Sequence, residues 1–199
     1  MRTLSMTSDE YPPIWAMDST TPVSLTFSSV QPSAPYRLTR SNPIRVFQGA
    51  LDDKGKPQDV ESNAIRLPEA SGILLLSWFQ TGKPKFLAIQ DTPESGRYND
   101  WFLINSTAKS VAIQVGQATK PVVIQPGSQQ ILKIDCPADQ GAATTLAYKE
   151  EDTWRKFFST YLPVHKDQRC MIVLVQTGEK IQVKQIFENL DRNSKVSTP

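Results

Sequence analysis

The chain has 199 residues, 39% of them hydrophobic, which suits one large or two small domains and exceeds what a disordered chain shows. Its 22 Lys and Arg residues nearly balance 20 Asp and Glu residues, which argues against nucleic acid as the main partner. No apolar run approaches the roughly 18 residues that predict a membrane span.

Residues 1–12 are polar, and we expect a flexible tail there. They lack the apolar core of a secretory signal, which favours either a cytoplasmic protein or one whose leader has been removed. A short apolar strand at 14–17, a turn at 18–22 and an alternating strand at 23–27 follow.

The stretch Ser71–Asp91 predicts a β-hairpin, because two apolar runs flank a Gly-containing break. Both faces of its first strand (Ile73–Phe79) are apolar. This pattern is typical of a strand that is covered on both sides, by a second sheet and the other half of the chain or by a partner molecule.

Three landmarks recur later in the chain. The hairpin's tripeptide Gln80–Gly82 returns as Gln176–Gly178, and Leu67-Pro68 returns as Leu162-Pro163. The third landmark is the order of a short strand, an Asp/Asn-Ser-Thr turn and an alternating strand, seen at 14–27 and again at 102–115. Together they predict an internal duplication.

Two further segments need an interpretation. Val122–Ile124 and Gln130–Ile134 flank Pro126-Gly127 and predict a hairpin. The segment Asp152–Leu162 carries an i, i+3, i+4, i+7 aromatic stripe typical of a helix, but its Phe, Thr and Tyr content and the duplication favour a strand.

Strands recur about every 8–12 residues without long helical patterns, which indicates an antiparallel sandwich. The linker Asp91–Asp100 is nearly devoid of apolar residues. We therefore predict an all-β protein of two tandem immunoglobulin-like antiparallel β-sandwiches, at 13–92 and 97–188, related by internal duplication. Residues 189–199 form a second flexible tail.

Groups able to do chemistry are sparse. The single histidine, His165, can act as a general base on a hydroxyl or on Cys170, or it can be a solvated loop residue. Glu150–Asp152 can serve hydrolysis or calcium binding, although adjacent strand residues point to opposite faces. The spacings of zinc sites, calcium loops and phosphate-binding loops are missing, so we predict no catalytic residue, metal or cofactor. Cys136 and Cys170 can form one bridge or remain two free thiols.

Exposed aromatic side chains are a common binding device, and three are candidates for stacking on sugars: Tyr98, Trp101 and Trp154. The alternative is that these residues pack at an interface between the two halves.

The second half resembles a family of uncharacterised bacterial all-β proteins. The residues that match its pattern are Gly96, Tyr98, Asn105, Val111, Ile113, Pro126, Gly127 and Trp154. The resemblance implies a tandem β-sandwich that is often exported, and it implies no known activity.

The sequence thus favours a non-enzymatic binding or structural module of the bacterial cell envelope. Its partner would be an unidentified protein or polysaccharide, and it would have no nucleic-acid partner or membrane span. A carbohydrate-binding module is the first alternative, and a hydrolase using Glu150–Asp152 or His165 is the second.

Overall fold

The structure is a computed structural model that describes residues 1–7, 12–58, 62–80, 83–91, 100–116, 120–166 and 168–189. Every regular element in these ranges is a β-strand, so the protein is all-β. Within the same ranges, no helix has the length and apolar character needed to cross a membrane. The chain divides into two compact units, Met1–Thr92 and Pro93–Pro199.

The first unit contains two sheets, with strand orders β1-β6-β7 and β3-β2-β4-β5. Its strands are β1 (Arg2–Ser5), β2 (Ile14–Asp18), β3 (Thr21–Leu25), β4 (Ile44–Gln48), β5 (Ser62–Ile65), β6 (Ile73–Gln80) and β7 (Lys83–Gln90). Buried residues of both sheets form one apolar cluster, so the unit is a two-layered sandwich. The segment 36–39, which has strand-like alternation, lies outside these strands.

The first strand corrects the expectation of a flexible N-terminal tail. Residues 2–5 form β1, which pairs in parallel with β6 and buries Thr3, Leu4 and Ser5. Arg2 also donates to the Asp91 carboxylate through Nε at 2.7 Å and through a terminal nitrogen at 3.0 Å. This short strand is held by its ladder to β6 and by the burial of Leu4.

Both faces of β6 are buried, as its apolar pattern predicts. Ile73 and Leu75 belong to the sandwich core, whereas the alternate residues Leu74 and Leu76 lie on the opposite face and are also fully buried. Because successive strand residues point to opposite faces, burial of all four requires cover on both sides of the sheet.

The second unit also contains two sheets, with orders β11-β8-β14-β15 and β10-β9-β12-β13. Its strands are β8 (Asp100–Asn105), β9 (Val111–Val115), β10 (Val122–Ile124), β11 (Ser128–Lys133), β12 (Gly141–Glu150), β13 (Thr153–Pro163), β14 (Gln168–Thr177) and β15 (Lys180–Asn189). Residues of both sheets again share one core cluster. The predicted tail from 189 onwards begins with the last residue of β15 and otherwise lies outside the described residues.

Pairing differs from expectation in two places. The strands on either side of Pro126-Gly127 are not a hairpin, because β10 pairs with β9 while β11 pairs with β8 in the other sheet. The sandwiches are also not purely antiparallel, since β14 runs parallel to β8, as β6 does to β1. The chain crosses between sheets at Gly127, whose φ of 67° suits glycine.

The two units have the same strand order apart from β11, which is an added edge strand in the second. One sequence landmark falls at a similar place, since Leu67 and Leu162 are both buried in sandwich cores. The Gln-Thr-Gly tripeptides lie one register position apart: Gln80 is the last residue of β6, opposite Lys83, whereas Gln176 is the last but one of β14, opposite Ile181. The third landmark is wrong, because β2 and β3 pair with each other whereas β8 and β9 lie in different sheets.

The segment with the helical aromatic stripe is a strand, as favoured. β13 pairs with β12 along its whole length, with one shift of register between Leu146 and Ala147. Phe158 lies opposite Leu146 and Lys156 lies opposite Ala147, so Phe157 is the extra residue of a β-bulge.

Candidate functional site

The structure separates the predicted sugar-stacking aromatics. Trp101 is 0% exposed and lies in the core of the second unit, so its assignment to a binding surface is wrong. Tyr98 lies outside the described residues. Trp154 is 42% exposed on the edge strand β13, and of the three it alone is shown at a surface.

The bulge in β13 brings a second exposed aromatic onto the face that carries Trp154. Trp154 lies opposite Lys149, and Tyr161 lies opposite Ala143. Lys149 and Ala143 are an even number of residues apart on the regular strand β12, so both aromatic residues face the same side. In a strand of the same sequence without the bulge, the odd spacing from 154 to 161 would place them on opposite faces.

We name this surface the outer β12–β13 face and define it by the four opposite pairs of residues that form it. From one end to the other, these are Tyr161–Ala143, Ser159–Thr145, Lys156–Ala147 and Trp154–Lys149. The intervening β12 residues Ala142, Thr144 and Leu146 are buried, which confirms that the outer face points away from the core.

The outer β12–β13 face carries an exposed aromatic residue at each end. The pairs between them are Ser159–Thr145, whose hydroxyls are 3.4 Å apart, and Lys156–Ala147. Tyr161 is 72% exposed, and Trp154 lies about 20 Å away along the strand by the usual rise per residue. Such an arrangement offers two apolar ring surfaces separated by a polar floor.

An open groove of about 420 Å³ adjoins the Tyr161 end of this face. Its walls include Asp139, Gln140 and His165, so polar groups line it next to the aromatic ring. Gly141 makes room for the ring: a Cβ at that position would lie 3.3 Å from the Tyr161 Cβ, closer than most such contacts. The outer β12–β13 face therefore continues into a groove with both polar and apolar walls.

The acidic run belongs to a hairpin turn. Glu150 pairs with Thr153, so Glu151 and Asp152 are the two turn residues, and Glu151 has a φ of 52°. Glu150 forms ion pairs with Lys109, at 3.5 Å, and with Arg155. These contacts hold the end of the hairpin, and among the described residues no cluster of acidic, His and Cys side chains could hold a metal.

The remaining candidate groups are also engaged in structure. The His165 ring packs edge-on against Phe187 at 4.7 Å between centroids. Cys170 is buried, and burial raises the pKa of its thiol to about 12, so it is a poor nucleophile. Cys136 and Cys170 are both free thiols.

The two alternative groups of the hydrolase hypothesis lie at opposite ends of β13. Asp152 precedes the strand and His165 follows it, and the strand has 11 residues, which corresponds to roughly 33 Å. Neither group can therefore assist the other, and each would have to act without it.

A scan against protein-family models and a search of curated proteins gave no match to this chain.

Tyr161 was not among the surface residues predicted from the sequence. In a regular strand its odd spacing from Trp154 would place the two rings on opposite faces, and the bulge at Phe157, which shows only in the register against β12, reverses that.

Proposed function

We propose that the protein is a non-enzymatic binding module that holds a linear polysaccharide on the outer β12–β13 face. The observation that carries this proposal is the pair of exposed aromatics, Trp154 and Tyr161, on one face of the sheet about 20 Å apart. Aromatic rings stack on the apolar faces of sugar rings, and the hydroxyls between them can hydrogen-bond to the same chain.

Two lysines on this face favour an acidic chain. Lys149 lies opposite Trp154 and Lys156 lies opposite Ala147, and both side chains are exposed. Carboxylates on alternate sugars would meet these ammonium groups without desolvating them fully, so the attraction weakens as salt is added. An acidic polysaccharide should therefore bind better than a neutral one at low ionic strength.

The surroundings of the candidate catalytic groups support a binding role rather than an enzymatic one. Glu150 is held in ion pairs, Cys170 is buried, and His165 is far from the acidic turn.

The test is a titration of the full chain with polygalacturonate, alginate, xylan and a soluble β-glucan, followed by tryptophan fluorescence. We expect the acidic chains to change the emission of Trp154, the most exposed tryptophan among those described. Tyr161→Ala keeps that reporter and should weaken binding about five- to tenfold, because one stacked ring is lost.

Two variants serve as controls. Tyr161→Phe retains the ring and should bind nearly as well as the parent chain, and Val30→Ala changes a residue of the first unit that is 77% exposed. The proposal fails if none of the four polysaccharides alters the emission, or if Val30→Ala weakens binding as much as Tyr161→Ala.

We further propose that the two units arose by duplication of one sandwich. In addition to the shared strand order, equivalent residues occupy equivalent pairs: Ser5 lies opposite Ser77, as Asn105 lies opposite Leu174. Immunoglobulin-like then describes the two-sheet architecture of each unit rather than its strand order, since constant domains arrange their strands as ABED and CFG.

A location in the bacterial cell envelope completes the proposal. It is supported by the resemblance of the second half to exported bacterial proteins. Fractionation of cells that express the gene from its native start should recover the protein outside the cytoplasm. Recovery in the cytoplasm alone would contradict it.

A further inference from the structure

The first unit has a groove between the edge strands of its two sheets. The groove measures about 300 Å³ and is lined by residues 63–66 of β5 and its continuation and by residues 85–88 of β7. Both strands end their sheets, so their outer backbone groups are not paired in a ladder with another strand of the described chain.

The floor of the groove is formed by residues at the edge of the sandwich core. Ile65 belongs to the core cluster, and Phe86 and Ala88 pack against it while remaining partly accessible. An extended segment lying here would therefore bury an apolar side chain in the floor and find unpaired strand edges on both sides.

The second unit shows why the groove exists. Each unit has a row of three paired residues that ends at this edge. In the first unit the row runs from Ala16 of β2 through Val46 to Asn63. In the second it runs from Ile113 of β9 through Leu146 to Phe158. The two positions are equivalent in strand order. Phe158 packs against the core of the second unit, whereas the smaller and polar Asn63 leaves the corresponding edge of the first unit open.

The edges of the groove are positively charged. Arg66 lies on one side and Lys85 on the other, and neither has an ion-pair partner among the described residues. None of the described residues that line the groove is acidic. The charge pattern thus favours carboxylates placed to either side of an apolar side chain.

We propose that this groove binds an extended acidic peptide segment of a partner protein, with an apolar side chain between two carboxylates. The segment adds as a strand to the edge of β7, its apolar residue covers Ile65 and Phe86, and its carboxylates pair with Arg66 and Lys85. This site lies in the first unit and does not depend on polysaccharide binding by the second.

The test uses the full chain, labelled with ¹⁵N, and a capped peptide of sequence Glu-Ile-Glu-Val-Glu added to millimolar concentration. We expect amide shifts in β5 and β7 and unchanged amides in β13. The double variant Arg66→Glu, Lys85→Glu should weaken binding about tenfold or more, and Asn63→Phe should do so by filling the groove. Lys54→Glu, a single charge reversal on a loop outside the groove, should leave binding unchanged.

Several results would overturn the proposal. These are an absence of shifts at millimolar peptide, equal shifts with the capped peptide Lys-Ile-Lys-Val-Lys, or an equal loss of binding in Lys54→Glu. Self-association of the parent chain in sedimentation that Asn63→Phe removes would assign the groove to a second copy of the chain instead. Thermal unfolding of each variant confirms that it is folded.

Discussion

The two units of this protein follow one strand order but place different side chains at equivalent positions. Ser5 in the first unit corresponds to Asn105 in the second, Asn63 corresponds to Phe158, and Ile73 corresponds to Cys170, which begins the same stretch of its hairpin. The strand order sets which residues meet, because sheet register fixes the face of every side chain. The individual residues then decide how firmly a turn is held, whether a sandwich edge is covered, and whether the core contains a side chain that titrates.

The largest effect should come from the residue that ends the first strand of each unit. Asn105 is fully buried; its amide donates to the carbonyls of Lys109 (2.9 Å) and Ile124 (3.0 Å) and accepts from Thr107. The Ser5 hydroxyl makes the corresponding local contact, with the backbone of Thr7. Asn105→Ala should therefore cost about 2–4 kcal/mol of unfolding free energy, and Ser5→Ala about 1 kcal/mol.

Native-state hydrogen exchange with urea measures the two costs separately, because it reports the stability of each unit from its own amides. Amides of β9 and β14 report on Asn105, and those of β2 and β6 report on Ser5. Equal costs at the two positions would mean that the link from Asn105 to β10 contributes nothing to the second unit.

Many of the strands and hairpins can be predicted from the sequence, because local patterns determine them. Continuous apolar runs predicted the hairpin within Ser71–Asp91, and composition favoured a strand at 152–162. The predictions that failed concern pairing between strands that are distant in the sequence. The pairing of β1 with β6 joins residues about 70 positions apart, and no local pattern marks a four-residue polar strand as buried.

The candidate site divides in the same way. Trp154 was recognisable as a surface aromatic, but its partner Tyr161 was not, since the bulge at Phe157 is defined only against β12. Trp101 was misplaced because residues next to a polar linker look exposed in sequence, whereas β8 is buried along its whole length.

The second comparison concerns the sandwich edge. Phe158→Asn in the second unit removes an aromatic ring from the core margin and should cost about 2 kcal/mol, since a partly buried side chain contributes less than a fully buried one. The reciprocal change Asn63→Phe should leave the first unit unchanged or stabilise it by up to about 1 kcal/mol. Urea unfolding with unit-specific hydrogen exchange measures both. A cost for Asn63→Phe as large as that for Phe158→Asn would show that the open edge is packed as tightly as the covered one.

The smallest predicted change in unfolding free energy occurs only at alkaline pH and only in the second unit. Burial raises the pKa of the Cys170 thiol from its ordinary value of 9.0 to about 12, partly offset by the hydrogen bond from Gln185. The folded state therefore keeps the thiol protonated while the unfolded chain releases the proton. The contribution is complete below pH 9 and is lost between pH 9 and 12, at most about 1.4 kcal/mol for each pH unit.

Cys170→Val should remove this loss because valine does not titrate, and the stability of the second unit should then fall less steeply above pH 9. The first unit, with Ile73 at the equivalent position, should show the same pH dependence in both proteins. Hydrogen exchange at pH 8 and equilibrium unfolding at pH 8, 9 and 10 measure the difference, which should be about 1 kcal/mol at pH 10.

Iodoacetamide provides an independent check, since the partly exposed Cys136 should be alkylated in the folded protein and Cys170 only after unfolding. An unchanged alkaline slope in Cys170→Val would mean that the thiol titrates alike in both states, and the core of the second unit would then be no more sensitive to pH than that of the first.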